Sequence, residues 1–236
     1  MDTHSKQIWE RVGALRDVIE AHRDEGQLLH HLPDPVARAF VEANVYRLLL
    51  PIEYGGENID PLTYYDLIEE VASYDGSAGW NFSIGSSTPL IFGDLSPSRL
   101  RTIFGSPDAC VAASTNPLGR AIEVEGGYRL AGRFAWASGI HHARWVVAMG
   151  AIFDGATMRK SPAGTPVILG FVMPRESCTV LDTWHVLGMR GTGSTEFEAD
   201  NVFVPKDLAI RFFHSECRYP YPIFRMPPTY FGYNHV

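Results

Sequence analysis

Long apolar runs are missing from this chain: nothing approaches the roughly 18 residues that suggest a membrane span, and the N-terminus, MDTHSKQIWERVG, lacks the apolar core of a secretory signal. These absences predict a cytoplasmic protein with no membrane partner. Cysteine is scarce. Cys110, Cys178 and Cys217 are odd in number, far apart and outside any C-x-x-C spacing, which excludes a disulfide framework and a zinc knuckle and predicts buried or idle thiols. Basic residues are outnumbered, 20 Lys plus Arg against 27 Asp plus Glu for a formal net charge of -7, so a broad phosphate-tracking surface for nucleic acid is not expected. Internal repeats and low-complexity tracts are absent too. What remains, 236 residues with 45% hydrophobic and 20% charged side chains, is the balance of an ordinary folded protein.

The chain changes character near residue 108. Ile8, Val12, Leu15 and Ile19 recur at three- and four-residue spacing, the pattern of an amphipathic helix, with Gly26 as its stop. Asp34-Pro35, Asp60-Pro61 and Ser96-Pro97 each read as an N-cap followed by the first helical residue. Val36, Ala39, Phe40 and Ala43 line the first of these helices. Leu62, Tyr65, Glu69 and Ala72 form the stripe expected of the second, and Leu100, Ile103 and Phe104 that of the third. Residues 75–88, DGSAGWNFSIGSST, are rich in small side chains, as suits a helix approached closely by another backbone.

After Pro107 the pattern is that of strands. Alternation around Gly126-Gly127 marks a hairpin, and further strands are expected at 145–153, 167–173, 195–199 and 201–204, with a polar loop at 154–165. The expected fold is α+β: an N-terminal all-helical domain (1–108), then a small antiparallel β-barrel or sandwich (109–210), then a connecting segment (211–236). In the last of these, Phe224, Met226, Tyr230 and Phe231 look like packing groups in need of a partner surface.

Four constellations are candidates for chemistry. Residues 188–194, GMRGTGS, offer backbone amides and the Thr192 and Ser194 hydroxyls to a phosphate or a polar ring edge, or simply form a tight turn. They are not a dinucleotide fingerprint, because Glu196 stands at the third glycine of G-x-G-x-x-G and a strand follows. Residues 134–139, FAWASG, would let a flat ring lie on backbone beside Trp136, with the Ser138 hydroxyl on its edge and Gly139 next to it; the alternative is a core Trp beside a turn Ser. A serine-hydrolase elbow is not met, since Trp136 and Ile140 replace the glycines of G-x-S-x-G. The pairs His30-His31 and His141-His142, and His185, chelate one metal poorly because neighbours in sequence diverge, so no metal site is expected; His141, three residues past Ser138, is the candidate general base. Residues 114–119, STNPLG, offer turn hydroxyls and amides.

Taken in order, the segments LPIEYGG (50–56), DGSAGW (75–80), GGYRLAGRFAWASGIHHARW (126–145) and DTWHVLGMRGTGSTEFEADNVFVP (182–205) resemble the acyl-CoA dehydrogenase superfamily, and more closely its branch of two-component flavin-dependent monooxygenases. The resemblance implies a β domain that holds the ring of FAD or FMN. It also implies a C-terminal four-helix bundle, which this sequence would lack, and a homo-oligomer (a tetramer in the family). By position it places Ser114, Thr115, Asn116, Trp136, Ser138 and Gly139 at the flavin; Thr192 and Ser194 of the glycine-rich turn are further cofactor-binding candidates, and Ser138 and His141 are the catalytic candidates. Reduced flavin from a separate reductase, with O2, would hydroxylate a small aromatic substrate. The alternatives it leaves are oxidation of a CoA thioester by a dehydrogenase, or an inactive truncated remnant. Two departures bear on the choice. The thioester-binding Gly-Ser-Asp of the dehydrogenases reads Gly119-Arg120-Ala121, and where phenol hydroxylases carry a His this chain has Ser86, Ser87 and Thr88.

Overall fold

A computed structural model describes residues 3–211, 218–221 and 224. Seven helices come first: α1 (Thr3–Gly13), α2 (Arg16–Ala21), α3 (Arg23–Leu29), α4 (Asp34–Glu42), α5 (Pro61–Tyr74), α6 (Gly76–Ser87) and α7 (Pro97–Phe104). The stripe Ile8, Val12, Leu15 and Ile19 is buried as expected, but the helix that carries it is broken into three. Gly26 does not end it. That glycine lies inside α3, where an added Cβ would meet the Pro33 ring at 3.3 Å, and the stop is His30 at φ +59°. Asp34 is the first residue of α4 rather than its cap.

Asp60 caps α5 as expected, accepting from the amides of Leu62 and Thr63 at 3.0 and 3.1 Å. The buried face of α5 differs from the expected stripe: Tyr64, Leu67, Val71 and Tyr74 point inward, while Leu62 is 75% exposed. Tyr64-Tyr65 and Leu67-Ile68 place apolar residues on both sides of the boundary, so spacing alone fits two faces. The Tyr64 hydroxyl decides between them by donating to the Ser83 carbonyl at 2.8 Å. The close approach expected of the next helix is present. α6 is buried along most of its length, and a Cβ at Gly79 would sit 2.6 Å from the Ala72 Cα in α5.

Eight strands follow: β1 (Val111–Val124), β2 (Gly127–Phe134), β3 (Trp145–Asp154), β4 (Thr157–Met158), β5 (Ile168–Pro174), β6 (Thr179–Val180), β7 (Phe197–Pro205) and β8 (Ala209–Ile210). They form one sheet of order β6-β7-β2-β1-β3-β5-β8, with β4 on β3 inside the expected polar loop. The sheet is mixed rather than purely antiparallel, because β1 and β3 pair in parallel. β2 runs back along one edge of β1 toward its start, and residues 135–144 cross to the other edge, so β3 sets out from the end where β1 began and runs in the same direction. Of the two hairpin glycines only Gly126, at φ +77°, takes positive φ. The strands expected at 195–199 and 201–204 are one strand with a bulge: two residues of β7, including Asn201 at φ +53°, oppose one of β2 between the pairs Leu130–Val202 and Gly132–Ala199.

The sheet curls on itself. Tyr128 of β2 and Phe171 of β5, three strands apart, bring their rings to 5.4 Å. Their approach runs over Gly150, where a Cβ would lie 2.9 Å from Phe171 and 3.0 Å from Leu130. Cys110 and Cys178 are free and buried, and burial pushes the Cys110 thiol up to about 12 against a hydrogen bond with Tyr46 that lowers it. Phe224 is buried and packs on Tyr219, whose hydroxyl donates to the Leu95 carbonyl at 2.9 Å. Cys217, Met226, Tyr230 and Phe231 lie outside the described residues. Among those described, no helix is long and apolar enough to cross a membrane.

Candidate functional site

Residues 135–139 leave β2 and are held by alternate amides. Ala135 N–H donates to the Asn116 carbonyl at 3.1 Å, Ala137 N–H to that of Thr195 at 3.0 Å, and Gly139 N–H to that of Thr192 at 3.0 Å. The segment is thereby tied on one side to a bulge of β1, where register breaks between Ser114 and Gly119, and on the other to the glycine-rich turn. The two residues between these amides point in opposite directions. Ser138 turns its side chain inward, whereas Trp136 turns out, 62% exposed and at φ +61°. Positive φ at a bulky non-glycine residue costs roughly 1–2 kcal/mol, and such strain collects at functional positions. Gly139, at φ +73°, passes close to α6, where a Cβ would meet Asn81 Oδ1 at 2.9 Å.

Beneath this strand end lies a row of buried hydroxyls. Ser138 Oγ is 2.7 Å from Ser194 Oγ, which is 2.7 Å from Thr192 Oγ1. The indole N–H of Trp80 in α6 donates to Ser138 Oγ at 2.8 Å. The structure thus brings the candidates Ser138, Thr192 and Ser194 together and adds Trp80, which no sequence motif singles out. A large side chain with a polar tip on a helix of small residues was the available signal, since a partly buried indole N–H needs an acceptor. Asn81 carries no sequence signal; its amide donates to the carbonyls of Ser77 and Gly191 and fastens α6 to the turn.

The first β-domain loop is used differently along its length. The Ser114 hydroxyl is buried and donates to the Ala135 carbonyl at 2.6 Å, fixing the bulge rather than facing open space. Thr115 and Asn116 are exposed. The three hydroxyls expected at the end of α6 are also occupied: Ser86 bonds the Phe82 carbonyl, and Ser87 and Thr88 bond that of Ile84.

His141 does not join the hydroxyl row. Its ring stacks on His31 at 4.4 Å, His142 approaches His31 edge-on at 5.7 Å, and His30 meets His185 at 5.3 Å and contacts Arg190. Burial brings His141 down to about 4, helped by the neighbouring His31, His142 and Arg175 and opposed by Asp182. Burial also lowers His142, against a contact with the Leu32 carbonyl that raises it. A base held near 4 accepts protons poorly at neutral pH. This histidine seam abuts the glycine-rich turn from behind: a Cβ at Gly193 would lie 2.9 Å from His31 and 3.1 Å from His141. Among the described residues no group of three or more His, Cys, Asp or Glu is placed to hold a metal ion.

The chain as a whole is similar to known proteins. The oxygenase subunit HsaA of a flavin-dependent monooxygenase from Rhodococcus jostii (strain RHA1) is 33% identical over 205 residues, 86% of this chain and 52% of its own length. A pigment production hydroxylase from Rhodococcus sp. (strain ATCC 21145) is 32% identical over 209 residues, 87% of this chain and 52% of its own. The chain is a homologue of flavin-dependent monooxygenase oxygenase subunits. Solved structures agree. XiaF from Streptomyces sp., in complex with FADH2 and glycerol, superposes with a TM-score of 0.85 at 27% identity, over 96% of this chain and 58% of that one. The 3-HSA hydroxylase from Rhodococcus sp. RHA1 gives 0.83 at 31% identity, over 94% and 57%. The expected acyl-CoA dehydrogenase-like α+β fold is therefore present. No protein-family model matches. The chain spans about half the length of the curated relatives it matches.

Proposed function

We propose that this protein is a cytoplasmic oxygenase component of a two-component flavin-dependent monooxygenase. It would hydroxylate a small aromatic substrate with O2 and with reduced FAD or FMN from a separate reductase, in a homo-oligomer. Residues 109–210 would hold the flavin ring and residues 1–108 would cover it. The observation that carries this reading is the row of buried Ser138, Ser194 and Thr192 hydroxyls joined by the part-buried Trp80, beside a strained, outward-facing Trp136. A flat, partly polar ring suits such a strand end, because small residues admit it, Trp136 offers an aromatic face and Ser138 offers one hydrogen-bonding atom at the edge.

Bound reduced flavin supplies the oxygen-activating chemistry. The chain's own part is to orient the ring through Ser138 and Gly139, to brace Ser138 through Ser194 and Thr192, and to keep water from that edge. Ser114 holds the adjoining loop, on which the exposed Thr115 and Asn116 would be available to contact the remainder of the ligand. His141 braces the turn from behind. Oxidation of a CoA thioester is less well supported, because Arg120, which stands in the Gly-Ser-Asp position, lies across Phe153 at 4.3 Å and bonds the Gly155 carbonyl.

The test is turnover of small phenols and indoles with a flavin reductase and NADH. Product carrying one added oxygen is expected only when O2, reductase and flavin are all present. Oxygen-independent oxidation of a CoA thioester with a dye acceptor would contradict the reading.

A further inference from the structure

In the row Trp80–Ser138–Ser194–Thr192 only one contact has a fixed direction. An indole N–H donates and cannot accept, so Trp80 always occupies one lone pair of Ser138 Oγ. The other two contacts, both 2.7 Å, join hydroxyls and can run either way. A hydroxyl has one donor and two acceptor sites. With Trp80 and Ser194 engaged, Ser138 keeps one site for a ligand, and the direction of the row decides its kind. When Thr192 donates to Ser194 and Ser194 to Ser138, the Ser138 hydrogen is free to donate outward. When Ser138 donates to Ser194 instead, a Ser138 lone pair is free to accept. The two states differ by rotation of hydroxyl hydrogens; no heavy atom moves and no proton changes owner.

This two-way character matches a ligand whose edge changes kind. A flavin ring nitrogen that accepts a hydrogen bond when oxidised becomes an N–H donor after two-electron reduction. Resting on the flavin reading above, we propose that Trp80 is a positioning residue which holds Ser138 between both states, so that the row receives the reduced ring as an acceptor and the oxidised ring as a donor. Without Ser194, Ser138 can still donate outward to the oxidised ring. To accept from the reduced ring it would have to leave its own hydrogen buried without a partner, which is the costly case. Loss of Ser194 should therefore weaken one redox form selectively, which a role in packing alone would not do.

The experiment titrates the full chain with FMN and FAD, oxidised in air and dithionite-reduced under anaerobic conditions, following fluorescence and absorbance. Ser194→Ala is expected to weaken reduced-flavin binding about tenfold while changing oxidised binding less than threefold, equivalent to a fall of ~30 mV in the bound two-electron potential. Ser194→Thr, which keeps the hydroxyl, should restore the ratio, and Trp80→Phe should weaken both forms by similar factors. Thermal unfolding of each variant separates these effects from loss of fold. Equal weakening of both forms by Ser194→Ala would overturn the inference while leaving flavin binding intact. Failure of the unsubstituted chain to bind either form would overturn the flavin reading itself, and the inference with it.

Discussion

Gly79→Ala is expected to destabilise the protein by about 2–3 kcal/mol and to lower its melting temperature by about 5–10 °C. An added Cβ would lie 2.6 Å from both the Cα and the Cβ of Ala72, and 2.9 Å from its backbone nitrogen. Those are backbone atoms and a methyl group bound to them, so nothing can swing aside; α6 has to lift from α5. The change also has a favourable side, since alanine is about 1 kcal/mol better than glycine inside a helix. The clash outweighs it. Because Trp80 and Asn81 are the next residues of α6, the shift also loosens the indole from Ser138 and the amide from the Gly191 carbonyl. Thermal unfolding by circular dichroism measures the first effect and Trp emission the second. An unchanged or raised melting temperature would show that the two helices are not so closely packed.

The second large effect is on acid stability, through the histidine seam. The folded state holds His141 near 4, below the ordinary 6.5, so between those values the unfolded chain takes up the proton that the folded chain refuses. The stability contributed by neutral His141 is fully present above pH 6.5 and is lost as pH falls toward 4. His142, also lowered by burial, acts in the same sense. His30, His31, His185, Arg175 and Arg190 crowd the same seam, and Asp34 and Asp182 are the acids beside it. Urea unfolding of the parent chain from pH 7 to pH 4 should show a falling midpoint. His141→Gln should flatten that fall within the window, although carboxylates contribute below it. Identical pH dependence in parent and variant would contradict the assignment. Since His31 and His141 border Gly193, the seam should also open next to Thr192 and Ser194 when it takes up charge.

How far these features can be read from the residues alone depends on the range of the interactions behind them. The face Ile8, Val12, Leu15 and Ile19 is legible because its helix is polar elsewhere, whereas α5 is apolar on both sides of its stripe and the Tyr64 hydroxyl makes the choice. The caps Asp60 and Ser96 are local and were legible; the parallel β1–β3 pairing was not, since a strand's own alternation says nothing about its neighbour. Ser138, Thr192 and Ser194 stand out as small hydroxyl residues in glycine-rich turns. Trp80 stays hidden because its partner is 58 positions away. Adjacency in sequence suggests the pairs His30-His31 and His141-His142, whereas the contacts are long-range: His31 with His141, and His30 with His185. That is why a candidate base became part of a seam.

The central claim is that the strand end at residues 135–139, with the hydroxyl row beneath it, holds a flavin ring. Its most direct test is Ser138→Ala against the parent chain in an anaerobic titration with reduced FMN and FAD, read by fluorescence. The account predicts saturable binding by the parent and at least tenfold weaker binding by Ser138→Ala, with a melting temperature lowered by only about 2–6 °C as the Trp80 indole loses its acceptor. Equal affinity in parent and variant would contradict it.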